Sequence, residues 1–189
     1  MNEEMIVIQD GAPENLKDRL ARETRCYDAL EKLGIKYKRA DHGAAHTMED
    51  CVAVEKALGV KIPKNLLLCN RQMTDFYLLM LPSDKVFKTK DISAQLGTAR
   101  LSFATHEFME QFLDTEPGSL SILGLMNDKD SRVRLVIDEE VLEESLIGCH
   151  PCINTSTLAI SRDDLLEKFV SSVGHTVTTV TLPDRSNEE

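Results

Sequence analysis

The stretch Gly148-Cys149-His150-Pro151-Cys152-Ile153-Asn154-Thr155 places two thiols and an imidazole within four residues, between an acidic segment and a β-rich one. Loops held by rigid elements commonly carry functional groups. Cys149 and Cys152 have the CxxC spacing of a zinc ligand pair. A structural zinc needs four ligands, however, and no second CxxC or HxxxH completes the set, so no metal is expected. The same residues can be read as a thiol nucleophile with a histidine partner, or as a turn holding buried thiols.

Two other stretches carry usable chemistry. In Pro63-Lys64-Asn65-Leu66-Leu67-Leu68 a lysine and an asparagine stand at the mouth of an apolar run. There Lys64 can pair with a phosphate or polarise a carbonyl, and Asn65 can hydrogen-bond a ribose or an amide; the plainer reading is a solvated strand end. Pro117-Gly118-Ser119-Leu120-Ser121-Ile122-Leu123-Gly124 has two glycines and two serines in eight residues, a loop whose amides can approach an oxyanion or phosphate closely. His42, His46, His106 and His175 stand apart from obvious partners and read as surface or satisfied histidines.

The elements that must hold these groups follow from periodicity. Residues 14–34 predict one amphipathic helix through Leu16, Leu20, Tyr27, Leu30 and Leu33, stopped by Gly34, followed by an extended piece from Ile35 to Ala40. Thr47 is expected to cap a helix ending at Gly59. The runs 65–69 and 76–81 predict a buried hairpin. Helices are expected at 91–96 and 105–113, a strand at 100–103, a loop at 117–124 and a strand at 132–137. Asp138 then caps a short acidic helix, 154–160 is β-rich, Ser161 opens a helix closed by Gly174, and 176–182 is a last strand. The tail from Pro183 to Glu189 reads as frayed. Together these predict one α/β domain, in the α+β sense, with a largely antiparallel or mixed sheet.

Bulk properties narrow the function. A chain of 189 residues suits one core. Acids at Glu3 and Glu4, and the lack of a long apolar stretch, predict a soluble, unexported, cytoplasmic protein, and five cysteines without a signal predict reduced thiols. Cys26, Cys51 and Cys69 read as buried small hydrophobes. A net charge of −10 argues against broad nucleic-acid binding but leaves room for a local footprint on one end of an RNA. Its candidate cations are Lys61/Lys64/Arg71, Lys85/Lys88/Lys90 and Arg132/Arg134. No P-loop, GxGxxG, GxSxG or HExxH motif is present.

Three motifs in order resemble the trans-acting prolyl-tRNA editing family, the YbaK-like free-standing relatives of the editing domain of bacterial prolyl-tRNA synthetases. They are Lys64-Asn65-Leu66-Leu67-Leu68, Pro117-Gly118-Ser119-Leu120-Ser121, and His150-Pro151-Cys152-Ile153-Asn154-Thr155 running on to Ile160. The resemblance spans roughly Leu16 to Leu182 of a single domain and is closest to the alanine-removing branch. It implies a mixed, partly closed central sheet surrounded by helices, with a pocket between the lysine strand and the glycine loop. It also implies a deacylase without a cofactor that acts on the acceptor end of mischarged proline tRNA.

By that resemblance Lys64 would hold the phosphate or ribose of the terminal adenosine, and Asn65 would orient the ester or the attacking water. Gly118, Ser119, Ser121 and Gly124 would contribute loop contacts and amide donors to the ester carbonyl. His150 would line the amino-acid pocket, with Asn154 beside it. Implied partners are the tRNA and either prolyl-tRNA synthetase or an elongation factor, with no membrane. The family loop often carries a proline where this chain has Ile122, which bears on the shape of the pocket. Removal of cysteine from the same tRNA, and a non-catalytic module of the translation machinery, are the alternatives.

Overall fold

In a computed structural model, residues 6–44 and 48–186 are described. Thr47, the expected cap, and His46 lie outside them, as do Met1 to Met5 and Asn187 to Glu189. The β structure forms two sheets instead of one partly closed sheet. Strands β1 (Val7–Asp10), β2 (Tyr37–Asp41), β7 (Leu146–Cys149) and β8 (Ser156–Ser161) make an antiparallel sheet in the order β1-β2-β8-β7. Strands β3 (Lys64–Cys69), β4 (Phe76–Leu81), β5 (Ser102–Phe103), β6 (Val133–Asp138) and β9 (Val177–Val180) make a mixed sheet in the order β5-β3-β4-β6-β9. Neither sheet closes on itself. The α/β class stands as expected.

The apolar runs behave as their composition predicts. β3 and β4 form the hairpin with Leu67 opposite Leu78, and every residue of β4 is buried, as befits a strand covered on both faces. Helices α1 (Ala21–Lys32), α2 (Met48–Leu58), α3 (Thr89–Gln95), α4 (His106–Leu113) and α5 (Glu139–Leu142) surround the sheets. A large core of buried side chains, including Tyr27, Leu30, Leu78, Leu135, Leu158 and Phe169, joins α1 to both sheets. No helix among the described residues is long and apolar enough to cross a membrane.

Several expectations are corrected. The helix over 14–34 breaks into a 3-10 turn at Leu16–Asp18 and α1, and Leu20, counted as a core position, lies between them, 61% exposed. The segment before His150 is strand β7 and not loop; its glycine and polar end hid a strand of only four residues. The chain from Asp164 to Val170 is π-helical, although Ser161 does accept from the Asp164 amide as the capping pattern predicts. The tail is pinned at least to Ser186: Arg185 pairs with Asp91, and its amide reaches the Val86 carbonyl at 2.7 Å.

Two of the three basic groups also dissolve. Lys85 is buried, its ammonium 3.0 Å from both oxygens of Asp138, 2.8 Å from Glu140 and 2.8 Å from the Leu182 carbonyl. Lys64 begins β3 and Arg71 lies past its other end, roughly 20 Å away at 3.3 Å per residue.

Candidate active site

Gly148 joins the two sheets at the point that matters. Its amide donates to the Lys61 carbonyl at 2.8 Å, and Lys61 pairs with Ile147 in parallel. A Cβ at Gly148 would lie 2.7 Å from Ile62 and 2.9 Å from the Lys61 oxygen, so only glycine lets the segments approach this closely. Because they run parallel, three residues further along each one stand Lys64 and His150.

The glycine loop meets the same region from another side. Gly118 takes φ +87°, and its missing Cβ would sit 3.9 Å from Asn154 Nδ2. Arg22 of α1 binds Glu116 at 2.9 Å, and Arg25 pairs with Asp114, which ties the start of the loop to the helix. The structure therefore brings Gly118 to Asn154, and Lys64 with Asn65 to the end of the molecule that His150 occupies.

The serines and the second glycine are used internally. Ser119 Oγ donates to the Glu116 carbonyl and accepts from its amide, both at 3.1 Å, and Ser121 Oγ accepts from the Leu123 amide. Gly124 belongs to the 3-10 turn Ile122–Asn127, where a Cβ would meet the Leu113 carbonyl at 2.9 Å; it is there for packing against α4. Ile122 is fully buried. Among the described residues the amides of Gly118, Leu120 and Ser121 donate to no protein acceptor, so the loop's free groups are main-chain donors.

Open polar atoms mark the remaining candidates. The Lys64 ammonium has no ion pair or hydrogen bond among the described residues. Partial burial lowers its pKa from the ordinary lysine value, against the pull of Asp84 and Asp184. Asn65 Nδ2 donates to the Pro63 carbonyl at 3.1 Å, which leaves Oδ1 buried with no donor. Such an acceptor is costly unless a ligand or water meets it. The Asn154 amide makes no hydrogen bond within the described chain.

His150 is 8% exposed, and its Nδ1 donates to the Ser156 carbonyl at 3.0 Å. Burial lowers its pKa from the usual histidine value and nearby His42 lowers it further, while the Ser156 carbonyl opposes both. The ring is therefore neutral at pH 7, with Nε2 unprotonated. At the end of β2, burial would raise the Asp41 carboxyl, but Arg19 at 2.6 Å and Arg39 hold it below the ordinary value.

Sequence reasoning passed over His42 and Thr157. His42 Nε2 lies 2.9 Å from Thr157 Oγ1, which lies 3.3 Å from His150 Nδ1. The signal for Thr157 is its place in the run Asn154-Thr155-Ser156-Thr157; for His42 the sequence offers none, because its partner is 115 residues away.

The thiols do not form a reactive centre. Cys149 is buried, which pushes its thiol far above the ordinary value. Cys152, at φ +59°, lies 3.6 Å from Cys26 Sγ in the core. Among the described residues no three His, Cys, Asp or Glu converge as metal ligands. Alkylating agents and chelators are accordingly expected to leave activity unchanged in a turnover assay, and loss of activity with iodoacetamide under native conditions would return Cys149 or Cys152 to consideration. A cavity of about 750 Å³ opens between Gly11, Ile35, Tyr37, Leu146 and Asp164, and no candidate residue lines it. A second, about 210 Å³, borders Lys61 to Pro63, directly before Lys64.

Known proteins resemble this chain in sequence and in fold. The aminoacyl-tRNA editing domain model matches residues 42–168, from His42 to the helix after β8. The prolyl-tRNA editing protein ProX of Acetoanaerobium sticklandii is 29% identical over 153 residues, covering 81% of this chain and 93% of that protein. Prolyl-tRNA synthetase associated domain-containing protein 1 of Danio rerio is 28% identical over 149 residues, covering 78% and 80%. A solved structure described as a candidate trans-editing enzyme for prolyl tRNA synthetase shares the fold with a TM-score of 0.64 at 15% identity, over 87% of this chain and 98% of that one. With the matched segment holding Lys64, the glycine loop and His150 in order, the chain belongs to the aminoacyl-tRNA editing domain family.

Proposed function

We propose that this protein is a trans-acting hydrolase that deacylates mischarged proline tRNA, with alanine as the amino acid removed, and that residues 16–182 form its editing unit. The observation that carries the reading is the set of unpartnered polar groups on Lys64, Asn65, His150 and Asn154, brought to one end of the two sheets beside a loop with free amides. Within an editing family such a set suits an ester with a polyanionic leaving group. The names of the relatives from Acetoanaerobium sticklandii and Danio rerio favour proline tRNA over other tRNAs.

In this reading Lys64 holds the phosphate or ribose of the terminal adenosine. Asn65 Oδ1 accepts from the attacking water or a ribose hydroxyl. The amides of Gly118, Leu120 and Ser121 receive the carbonyl oxygen as it gains charge, which is worth about 10²–10³-fold per donor in comparable sites. Water adds to the carbonyl, the ester C–O bond breaks, and the ribose oxygen leaves with a proton. An aminoacyl ester is already activated, so orientation and charge stabilisation suffice. The partners are the tRNA acceptor end and, for capture before release, prolyl-tRNA synthetase or an elongation factor.

Alanine is the expected amino acid because a synthetase pocket built for proline rejects a smaller residue by only ~1–3 kcal/mol per missing methylene, which leaves a need for a second sieve. The test is hydrolysis of Ala-, Cys-, Ser- and Pro-charged proline tRNA by purified protein. Loss of alanine alone is expected; preferential loss of cysteine would move the protein to the other branch, and no cleavage of any ester would leave a binding module.

A further inference from the structure

One hydroxyl joins two histidines that follow different strands. His42 follows β2 and His150 follows β7, with ring centroids 6.4 Å apart at 58°. Thr157, fully buried in β8, stands between them, 2.9 Å from His42 Nε2 and 3.3 Å from His150 Nδ1. The main-chain acceptors fix the direction of the protons. The Gly43 carbonyl, 2.8 Å from His42 Nδ1, and the Ser156 carbonyl can only accept, so each Nδ1 carries a hydrogen. The Thr157 hydroxyl then donates to His42 Nε2 and turns its lone pairs toward the His150 N–H. Were it to point at His150 instead, its hydrogen would face another hydrogen.

We infer that Thr157 and His42 are positioning residues that hold the His150 ring at the angle, and in the Nδ1–H form, that offers an unprotonated Nε2 to a hydrogen-bond donor of the bound aminoacyl ester. This rests on the editing reading above. The His150 Nε2 makes no hydrogen bond within the described chain and is the one ring atom of the pair left open to a ligand. The link also clasps the loop after β2 to the loop after β7 across the start of β8, where the His42 amide donates to the Thr155 carbonyl at 3.0 Å. Without the clasp, Ser156 alone restrains the ring, and rotation about a single hydrogen bond displaces Nε2.

The experiment pairs deacylation of Ala-charged proline tRNA with 15N magnetic resonance of the histidine rings, in wild type and in Thr157→Val, Thr157→Ser, His42→Leu and His42→Gln. Thr157→Val and His42→Leu are each expected to lower kcat about tenfold with KM little changed, since small misplacements carry such penalties. Their double variant is expected to be no worse than either alone, because the two act through one contact. Thr157→Ser keeps the hydroxyl and His42→Gln keeps an acceptor, so both are expected to retain most activity.

In the wild-type spectrum His150 should show a protonated Nδ1 and a bare Nε2, and Thr157→Val should move both signals toward exchange between the two forms. Wild-type kcat in Thr157→Val with unchanged His150 signals would overturn the inference, as would a proton on Nε2 in the wild type. Should Thr157→Val lose its fold by circular dichroism, the His42 pair decides. If wild type cleaves no ester, the editing reading fails, and the nitrogen signals alone decide the positioning role.

Discussion

Replacing Lys64 by alanine is expected to lower kcat/KM for Ala-charged proline tRNA by about 10²–10³-fold, the usual penalty for removing one electrostatic donor from a preorganised site. Thermal stability should not fall with it. The ammonium has no partner among the described residues, and burial lowers its pKa, so its charge works against the fold. The sign follows from linkage: a lysine with a depressed folded pKa binds its proton less tightly than in the unfolded chain. Stability therefore rises as pH passes upward through the folded value toward the ordinary lysine value. Lys64→Met, which keeps the aliphatic stem and removes the charge, is expected to melt at or slightly above the wild-type temperature near pH 7 while being as inactive as Lys64→Ala. A scanning-calorimetry series beside the deacylation assay checks both halves, and a fully active Lys64→Ala protein would remove the residue from the mechanism.

Gly148→Ala is expected to damage fold and activity together. The added methyl would meet Ile62 at 2.7 Å, Lys61 O at 2.9 Å and Val60 at 3.1 Å. The Ile62 side chain can turn aside, but the Lys61 carbonyl is main chain and already bound to the Gly148 amide. Overpacking of this kind destabilises by about 3 kcal/mol, at the upper end of the usual range. For a chain of this length that is a fall of about 6–12 °C in Tm. Activity should drop even well below the new midpoint, because the segments that lead to Lys64 and to His150 are joined at this contact. Adding Ile62→Ala is expected to restore part of the stability and little of the turnover. Wild-type Tm in Gly148→Ala would mean that the sheets are held elsewhere.

What could be read from residues alone follows the range of the interactions involved. The β3–β4 hairpin was legible because its apolar runs and polar turn are local, and α4 and β6 for the same reason. β1 was not, since all four of its residues are exposed and show no alternation. β7 was hidden because its glycine serves a contact with residues 60–62, far away in sequence. The junction between the two sheets, where Lys61 pairs with Ile147, is one that no periodicity announces. At the candidate site Lys64, Asn65 and His150 were picked out by residue type and given roles by resemblance, and Gly118 with Asn154 proved adjacent. The serines Ser119 and Ser121 and Gly124 looked equally suited to a ligand, yet they close turns and pack, a distinction that needs their hydrogen bonds. His42 looked solitary because chain distance conceals a partner one strand over.

The buried Lys85 carries a consequence for how this sequence can drift. Its ammonium and the carboxyl of Asp138 both engage Leu182 through the main chain, the one taking the carbonyl at 2.8 Å and the other the amide at 3.1 Å. Any residue with an amide satisfies that half of the clasp, so position 182 is free to exchange one apolar side chain for another, and only proline breaks the bond. Lys85 and Asp138 have less freedom separately, because losing Lys85 leaves the fully buried Asp138 carboxyl without its cation, and losing Asp138 leaves Lys85 only the half-exposed Glu140 as a counter-charge. Over evolutionary time the two should therefore change as a pair, or be replaced together by apolar residues.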